Sequence, residues 1–207
     1  MVYNNLISRA LISSGFLITY ILISIIKFEY IIFLILSVYA LILLEINLNF
    51  QKYKLLIIVY LLISIFFLLK IEFISENYFK FNLMVISVIS FDIFSYFIGS
   101  LIGKNKILFK ISPNKTLEGL VGGFIFSLII SLIYSYLVNF EIDLNLLIFL
   151  FIIIFSSFLG DIVESIFKRL NNLKNSSNFL PGHGGFFDRF DSFIISIIMY
   201  SYFIYLI

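Results

Sequence analysis

Cysteine and tryptophan are absent from this chain, histidine occurs once, at His183, and proline twice, at Pro113 and Pro181. Without cysteine there is no disulfide, no thiolate-bound zinc and no iron–sulfur cluster. Charge is scarce too. Asp, Glu, Lys and Arg make up 13% of the 207 residues, about half the share in a soluble domain. No Gly/Ser linker, low-complexity tail or internal repeat divides the chain. What remains is apolar: 62% hydrophobic residues and a mean hydropathy of +1.13. This is the composition of an integral membrane protein, with room for several spans and none for a soluble domain of ordinary size.

Seven apolar runs are candidate transmembrane helices, at about 10–26, 30–46, 55–70, 82–103, 117–138, 144–167 and 192–207. The expected fold is therefore all-α and polytopic, a single integral membrane domain over 1–207. Within it, 1–80 holds N-terminal spans without a chemical motif, and 82–207 is the expected catalytic region. The first run lacks a small-residue cleavage site and is expected to be a span rather than a cleaved signal. With the N-terminus in the cytoplasm, the inner segments hold Arg9, Lys52, Lys54, Lys104, Lys106, Lys110, Lys115, Lys168, Arg169, Lys174 and Arg189. The outer ones hold only Lys27, Lys70 and Lys80. That asymmetry follows the positive-inside rule. It predicts a cytoplasmic N-terminus, an external C-terminus, and two loops, 104–116 and 168–191, on the cytoplasmic side.

Carboxylates stand where lipid is expected. Asp92 lies inside the fourth run, and Asp161 and Glu164 lie near the end of the sixth. An ionisable group at such a depth costs at least ~2.5–3.5 kcal/mol on insertion scales and faces a polar interior. Asp92, Ser95, Tyr96, Gly99 and Gly103 share one helical stripe, as do Ser157, Asp161, Glu164, Ser165 and Lys168. Each stripe also admits a purely structural reading as interhelical hydrogen bonding and close packing. Glu45, ending the second run, reads as an interfacial acid reaching toward water.

The two loops carry the chemistry. In the first, Ser112-Pro113 reads as the entry to a helix whose free amides suit an anion, with Lys115, Thr116 and Glu118 beside it. A plain helix cap among positive-inside lysines is the bland alternative. The second loop is more specific. Pro181-Gly182-His183-Gly184-Gly185 can turn tightly and offer backbone amides to phosphate. Lys168, Arg169, Lys174 and Arg189 supply cationic donors, and Asp188 and Asp191 supply carboxylates. Asp161 and Asp188 are both candidate ligands for Mg²⁺, which favours carboxylate oxygens completed by substrate phosphates. His183 is open between a structural hydrogen-bonding role and a substrate contact, with general base the remoter reading. The inventory suits phosphoryl or nucleotidyl transfer, which needs alignment and charge neutralisation more than a protein nucleophile.

Ser165-x-x-Lys168-Arg169, Lys174, and Pro181-x-His183-Gly184-Gly185-x-x-Asp188-Arg189-x-Asp191 together resemble the signature of the phosphatidate cytidylyltransferase family, the CDP-diglyceride synthases. The resemblance extends upstream through Asp92, Tyr96, Gly99, Gly103, the Ser112–Gly119 segment and Ser157-x-x-Gly160-Asp161-x-x-Glu164, covering roughly residues 90–192. It departs at Asn175, where the signature has Asp, and at Ser100, where a basic residue often stands.

The resemblance implies that CTP and phosphatidic acid give CDP-diacylglycerol and pyrophosphate in phospholipid biosynthesis. Mg²⁺ would be held by Asp161 and Asp188, and a second cation such as K⁺ is a further expectation. Asp161, Asp188, Lys168, Arg169, Arg189 and His183 form the implied catalytic set. Ser112, Lys115, Thr116, Glu118, Lys174, Gly184, Gly185, Asp92, Glu164 and Asp191 form the implied substrate-binding set. The expected setting is a bacterial inner membrane with the site facing the cytoplasm, as a homodimer and without a nucleic-acid partner. A CTP-using lipid kinase, a catalytically weak member owing to Asn175, and a polytopic transporter are the alternatives.

Overall fold

The computed structural model describes residues 2–74, 77–180 and 184–207, and the side chains of residues 2–13 and of residue 206 lie outside the description. His183 therefore lies outside the described residues. Seven helices follow one another: α1 (Val2–Ile26), α2 (Ile31–Asn49), α3 (Lys54–Leu68), α4 (Tyr78–Ile102), α5 (Leu117–Leu137), α6 (Leu144–Leu170) and α7 (Phe187–Phe203). Each apolar run has become a helix. Among the described residues, four helical segments are long and apolar enough to cross a bilayer: Phe28–Asn49, Tyr78–Ile102, Leu117–Leu137 and Leu144–Leu170. Ser14–Ile26 and Lys54–Leu68 are shorter apolar helices. Large apolar side chains stand exposed along these elements, among them Ile25, Leu55, Leu101, Ile133 and Phe151. Such a surface suits lipid and not water, so the chain is an integral membrane protein.

The Ser112-Pro113 segment corrects the expectation of a helix entry. It belongs to a strand, β2 (Ser112–Thr116), paired antiparallel with β1 (Lys106–Leu108), Lys106 opposite Thr116 and Leu108 opposite Ser112. The register slips between the two pairs. A two-stranded ribbon is all edge, where proline costs no interior ladder bond. The helix begins only at Leu117. Thr116 is its N-cap, and its hydroxyl accepts from the Gly119 amide at 3.1 Å.

The chain packs as two compact units, one of residues 1–78 and 167–190, the other of residues 79–166 and 191–207. In the first, α2 packs on α3 with Ile42, Ile46, Ile57, Leu61 and Leu68 fully buried. Tyr39 and Ser64 join the two helices by a hydroxyl–hydroxyl bond. The α2–α3 turn, with Tyr53 at φ 56°, is held by Asn171. The Asn171 Oδ1 accepts from the amides of Gln51 (3.0 Å) and Lys52 (2.7 Å), while its Nδ2 donates to the carbonyls of Lys52 and Phe167.

In the second unit, small residues bring α4 against α5. A Cβ on Gly119 would sit 2.6 Å from the Ser95 carbonyl oxygen, and one on Gly123 2.7 Å from the Ser95 Cβ. One on Gly103 would meet the Thr116 side chain at 2.6 Å. The small-residue stripe of α4 is thus a close-packing surface. Tyr96, on the same sequence stripe, is 79% exposed and takes no part in it. Ser87 and Ser131 pair at 2.8 Å between the same helices, and Phe94 stacks on Phe126.

Candidate active site

The residues expected in the site fall in both units, and each unit holds a hydrogen-bonded group of its own. In the first unit, Lys168 stands in the last turn of α6 and Asp188 in the first turn of α7. The Lys168 Nζ donates to the Asp188 Oδ1 at 2.7 Å. The other oxygen, Oδ2, accepts from the Ser176 amide (2.8 Å), the Ser176 hydroxyl (3.0 Å) and the Gly185 amide (2.8 Å). Ion pair and amide bonds together fix the plane of this carboxylate.

The two glycines of the motif are required by this closeness. Gly184 has φ +88°, in the region that only glycine enters freely, and a Cβ there would lie 2.4 Å from the Asp188 Oδ2. At Gly185 a Cβ would meet the Ser176 hydroxyl at 2.1 Å and both Glu45 oxygens at 2.6 Å. The loop amides that sequence chemistry offers to phosphate are therefore in part committed here: the Gly185 amide serves Asp188.

Glu45 corrects the expectation of an acid reaching toward water. It is fully buried and accepts four hydrogen bonds. Ser177 Oγ and the Phe186 amide donate to Oε1, each at 2.7 Å. Ser176 Oγ (3.2 Å) and the Phe187 amide (3.0 Å) donate to Oε2. The partners lie 131 to 142 residues downstream, which is why the end of an apolar run told nothing of them. Arg169 and Arg189 are exposed. Arg169 donates to the Leu173 carbonyl at 2.8 Å, closing the end of α6. Lys174 is exposed beside a polar groove lined also by Asn49, Asn175 and Asn178.

In the second unit, Lys115 of β2 donates to the Asp161 Oδ2 of α6 at 2.8 Å, and its ammonium also lies over the Phe158 ring. Ser192 of α7 donates to the Asp92 Oδ1 at 3.1 Å and to the Asp161 Oδ1. A hydroxyl has one proton, so Ser192 serves two carboxylates from a single donor. Ser157 approaches Asp92 at 3.5 Å. Asp191 lies in the field of Asp161, Glu164 and Asp92, and Glu164 is 1% exposed. The interior of this unit is thus rich in carboxylate.

Glu118 serves the fold. Its carboxylate accepts from the amides of Lys104 and Asn105 and from the Asn105 side chain, anchoring the chain as it leaves α4. Thr116 is committed to its capping bond, and Ser112 lies at the pairing position opposite Leu108. Ser192, Ser176 and Ser177 were not singled out from sequence, and Glu45 was read only as an interfacial acid. Only Ser192 had a usable signal, four residues after Asp188 on the same helix.

Asp161 in one unit and Asp188 in the other each offer carboxylate oxygen, the donor type a hard divalent cation takes. Among the described residues no group of three or more His, Cys, Asp and Glu side chains is gathered to hold a metal. Mg²⁺ seldom uses an all-protein cage and takes one or two carboxylates with substrate phosphates.

The chain is similar over part of its length to bacterial phosphatidate cytidylyltransferases. It is 38% identical to that of Bacillus subtilis over 112 residues, covering 53% of this chain and 41% of the relative. It is 43% identical to that of Staphylococcus saprophyticus over 102 residues, covering 48% and 39%. An uncharacterised protein of Escherichia coli, YnbB, is 44% identical over 113 residues, covering 55% and 38%. The chain thus spans about two fifths of the length of the curated relatives it matches. The sequence pattern of the cytidylyltransferase family, by contrast, matches residues 2–207, and this chain belongs to that family.

Proposed function

We propose that this protein transfers the cytidylyl group of CTP to phosphatidic acid, giving CDP-diacylglycerol and pyrophosphate. The observation that carries the reading is the Lys168–Asp188 pair clasped by Ser176 and Gly185. Three of its four members are residues of the family motif, drawn into one hydrogen-bonded group.

A phosphate oxygen of phosphatidic acid attacks the α-phosphorus of CTP. The new P–O bond forms as the bond to the β-phosphate breaks, and pyrophosphate leaves with that electron pair. Asp161 and Asp188 are the residues that would hold Mg²⁺. When bound, the ion neutralises charge on the reacting phosphates. Lys115 and Lys168, each paired with a carboxylate, exchange that partner for phosphate oxygens when substrate arrives. Arg169 and Arg189, both exposed, reach the outer phosphates bidentately. His183 is assigned as a substrate contact. The acyl tails stay among the apolar helices while the headgroup reaches the polar residues.

In this reading all seven helices span or enter the membrane, and the N-terminus and both loops face the cytoplasm, where CTP is found. The setting is a bacterial inner membrane, the assembly a homodimer, and K⁺ a second cation. The test uses the purified chain in detergent or vesicles with labelled CTP, phosphatidic acid and Mg²⁺. CDP-lipid and pyrophosphate are the expected products. Release of CDP would identify a lipid kinase instead, and no turnover of CTP would overturn the reading.

A further inference from the structure

The N-terminal helices carry no residue of the family motif, yet one of them reaches the centre of the motif loop. Glu45, in α2, is fully buried, and each of its two oxygens takes one hydroxyl and one backbone amide. Oε1 receives Ser177 Oγ and the Phe186 amide, and Oε2 receives Ser176 Oγ and the Phe187 amide. Phe186 and Phe187 lie at the start of α7, where the first amides have no carbonyl of their own helix to bond. Glu45 supplies that acceptor from a different helix. Asp188 follows one residue later. The Ser176 hydroxyl lies within hydrogen-bond reach of both carboxylates, 3.2 Å from Glu45 and 3.0 Å from Asp188.

We infer that Glu45 is a positioning residue, which sets the pose of Asp188 by clamping both sides of the loop, at Ser176–Ser177 and at Phe186–Phe187. The inference rests on the proposed function for what Asp188 does, but not for how Asp188 is held. The clamp has a stringent chemical requirement, since all four of its partners are donors. A hydroxyl can turn and accept; a backbone amide cannot. In Glu45→Gln one oxygen becomes an NH₂ group, and whichever way the amide is turned it faces a backbone N–H. Either the part-buried Phe186 amide or the buried Phe187 amide then loses its acceptor. The Gly185 position leaves no space for the loop to slide, because anything larger than hydrogen there meets Glu45 and Ser176.

The experiment compares wild type, Glu45→Gln and Ser177→Ala in the full chain, purified in detergent, by two readouts. The first is hydrogen exchange over residues 176–187, which needs no activity. The second is turnover, read as kcat, KM for CTP and the Mg²⁺ concentration giving half-maximal rate. In Glu45→Gln, exchange at Phe186 and Phe187 should quicken roughly tenfold or more. The value of kcat should fall roughly 10–100-fold, the scale of a catalytic group displaced by about 1 Å. The Mg²⁺ requirement should rise while KM for CTP stays close to wild type. Ser177→Ala, which removes one donor to Glu45 and the acceptor of the Phe179 amide, should show the same pattern at Phe186 and Phe187 in smaller degree. It carries the test if Glu45→Gln does not fold. Unchanged exchange in the variants would overturn the inference. So would a fall in rate that tracks only the folded fraction, with the Mg²⁺ requirement unmoved. If the wild-type chain turns over no CTP, the proposed function fails and the exchange readout alone decides the role of Glu45.

Discussion

Lys115 and Asp161 form an ion pair at 2.8 Å, a strand lysine against a carboxylate in the body of an apolar helix. The side chains are 23% and 19% exposed, so the lysine shields a charge that the helix could otherwise hardly hold. The same lysine is a candidate phosphate ligand, and the two roles predict different kinetics. Lys115→Ala should raise KM for CTP roughly 10–100-fold, the loss of one charge-assisted hydrogen bond of about 1.5–3 kcal/mol. Asp161→Asn should instead abolish turnover with CTP binding largely retained. Steady-state kinetics with a CTP-binding measurement separate them; loss of binding in Asp161→Asn would reverse the assignment.

Asp188→Asn tests the clasp of the first unit. The amide NH₂ would face either Lys168 or the amides of Ser176 and Gly185, donors on both sides. Turnover should vanish, while helix content by circular dichroism stays at the wild-type level. Full activity in this variant would remove Asp188 from the metal assignment.

Two glycine substitutions should move stability in opposite directions. Gly119→Ala drives a methyl group to 2.6 Å from the Ser95 carbonyl, and overpacking of this kind costs about 1–3 kcal/mol. At Gly15, in α1, nothing lies within 4 Å of the added Cβ. Gly15→Ala should be neutral or stabilise by about 0.5–1 kcal/mol through helix propensity. Thermal unfolding in one detergent measures both.

Asn175→Asp restores the acid of the family signature. Asn175 is exposed and lines the polar groove with Lys174 and Asn178, so the added charge enters water and the fold should be unchanged. A rise in kcat is expected if the signature acid serves the chemistry. An unchanged rate at all Mg²⁺ concentrations would show that this chain needs no acid there.

The absence of cysteine makes the membrane orientation directly testable. Single-cysteine variants Lys52→Cys and Lys174→Cys should react with an impermeant maleimide only from the cytoplasmic side. Asn139→Cys should react only from the outer side. Labelling of all three from one side would overturn the assigned topology.

The helices were legible in the sequence because each is an apolar run, and apolar runs of that length become helices in lipid. Where charge enters a helix, that reading stops short. The last helix starts at Phe187, five residues before the apolar run expected at 192, because Asp188, Arg189 and Asp191 read as loop. The amides just ahead of them, those of Phe186 and Phe187, find their acceptors in Glu45. The β1–β2 ribbon was not legible: its strands have three and five residues with no apolar alternation. Motif chemistry pointed to Lys168, Gly185, Asp188, Lys115 and Asp161, all of which are engaged in polar or close contacts. The residues that hold them, Glu45, Ser176 and Ser192, have ordinary sequence surroundings, and their importance lies wholly in contacts across the chain.

The Asn171 latch has a consequence for biosynthesis. The amides of Gln51 and Lys52 wait for a partner made 119 to 120 residues later. At elongation rates of about 5–20 residues per second that interval is on the order of ten seconds. The first unit is discontinuous in sequence, so its early helices must remain in the membrane, incompletely bonded, until the end of α6 has been synthesised. A ribosome stalled between residues 78 and 167 would leave this unit open, whatever the intrinsic stability of its helices.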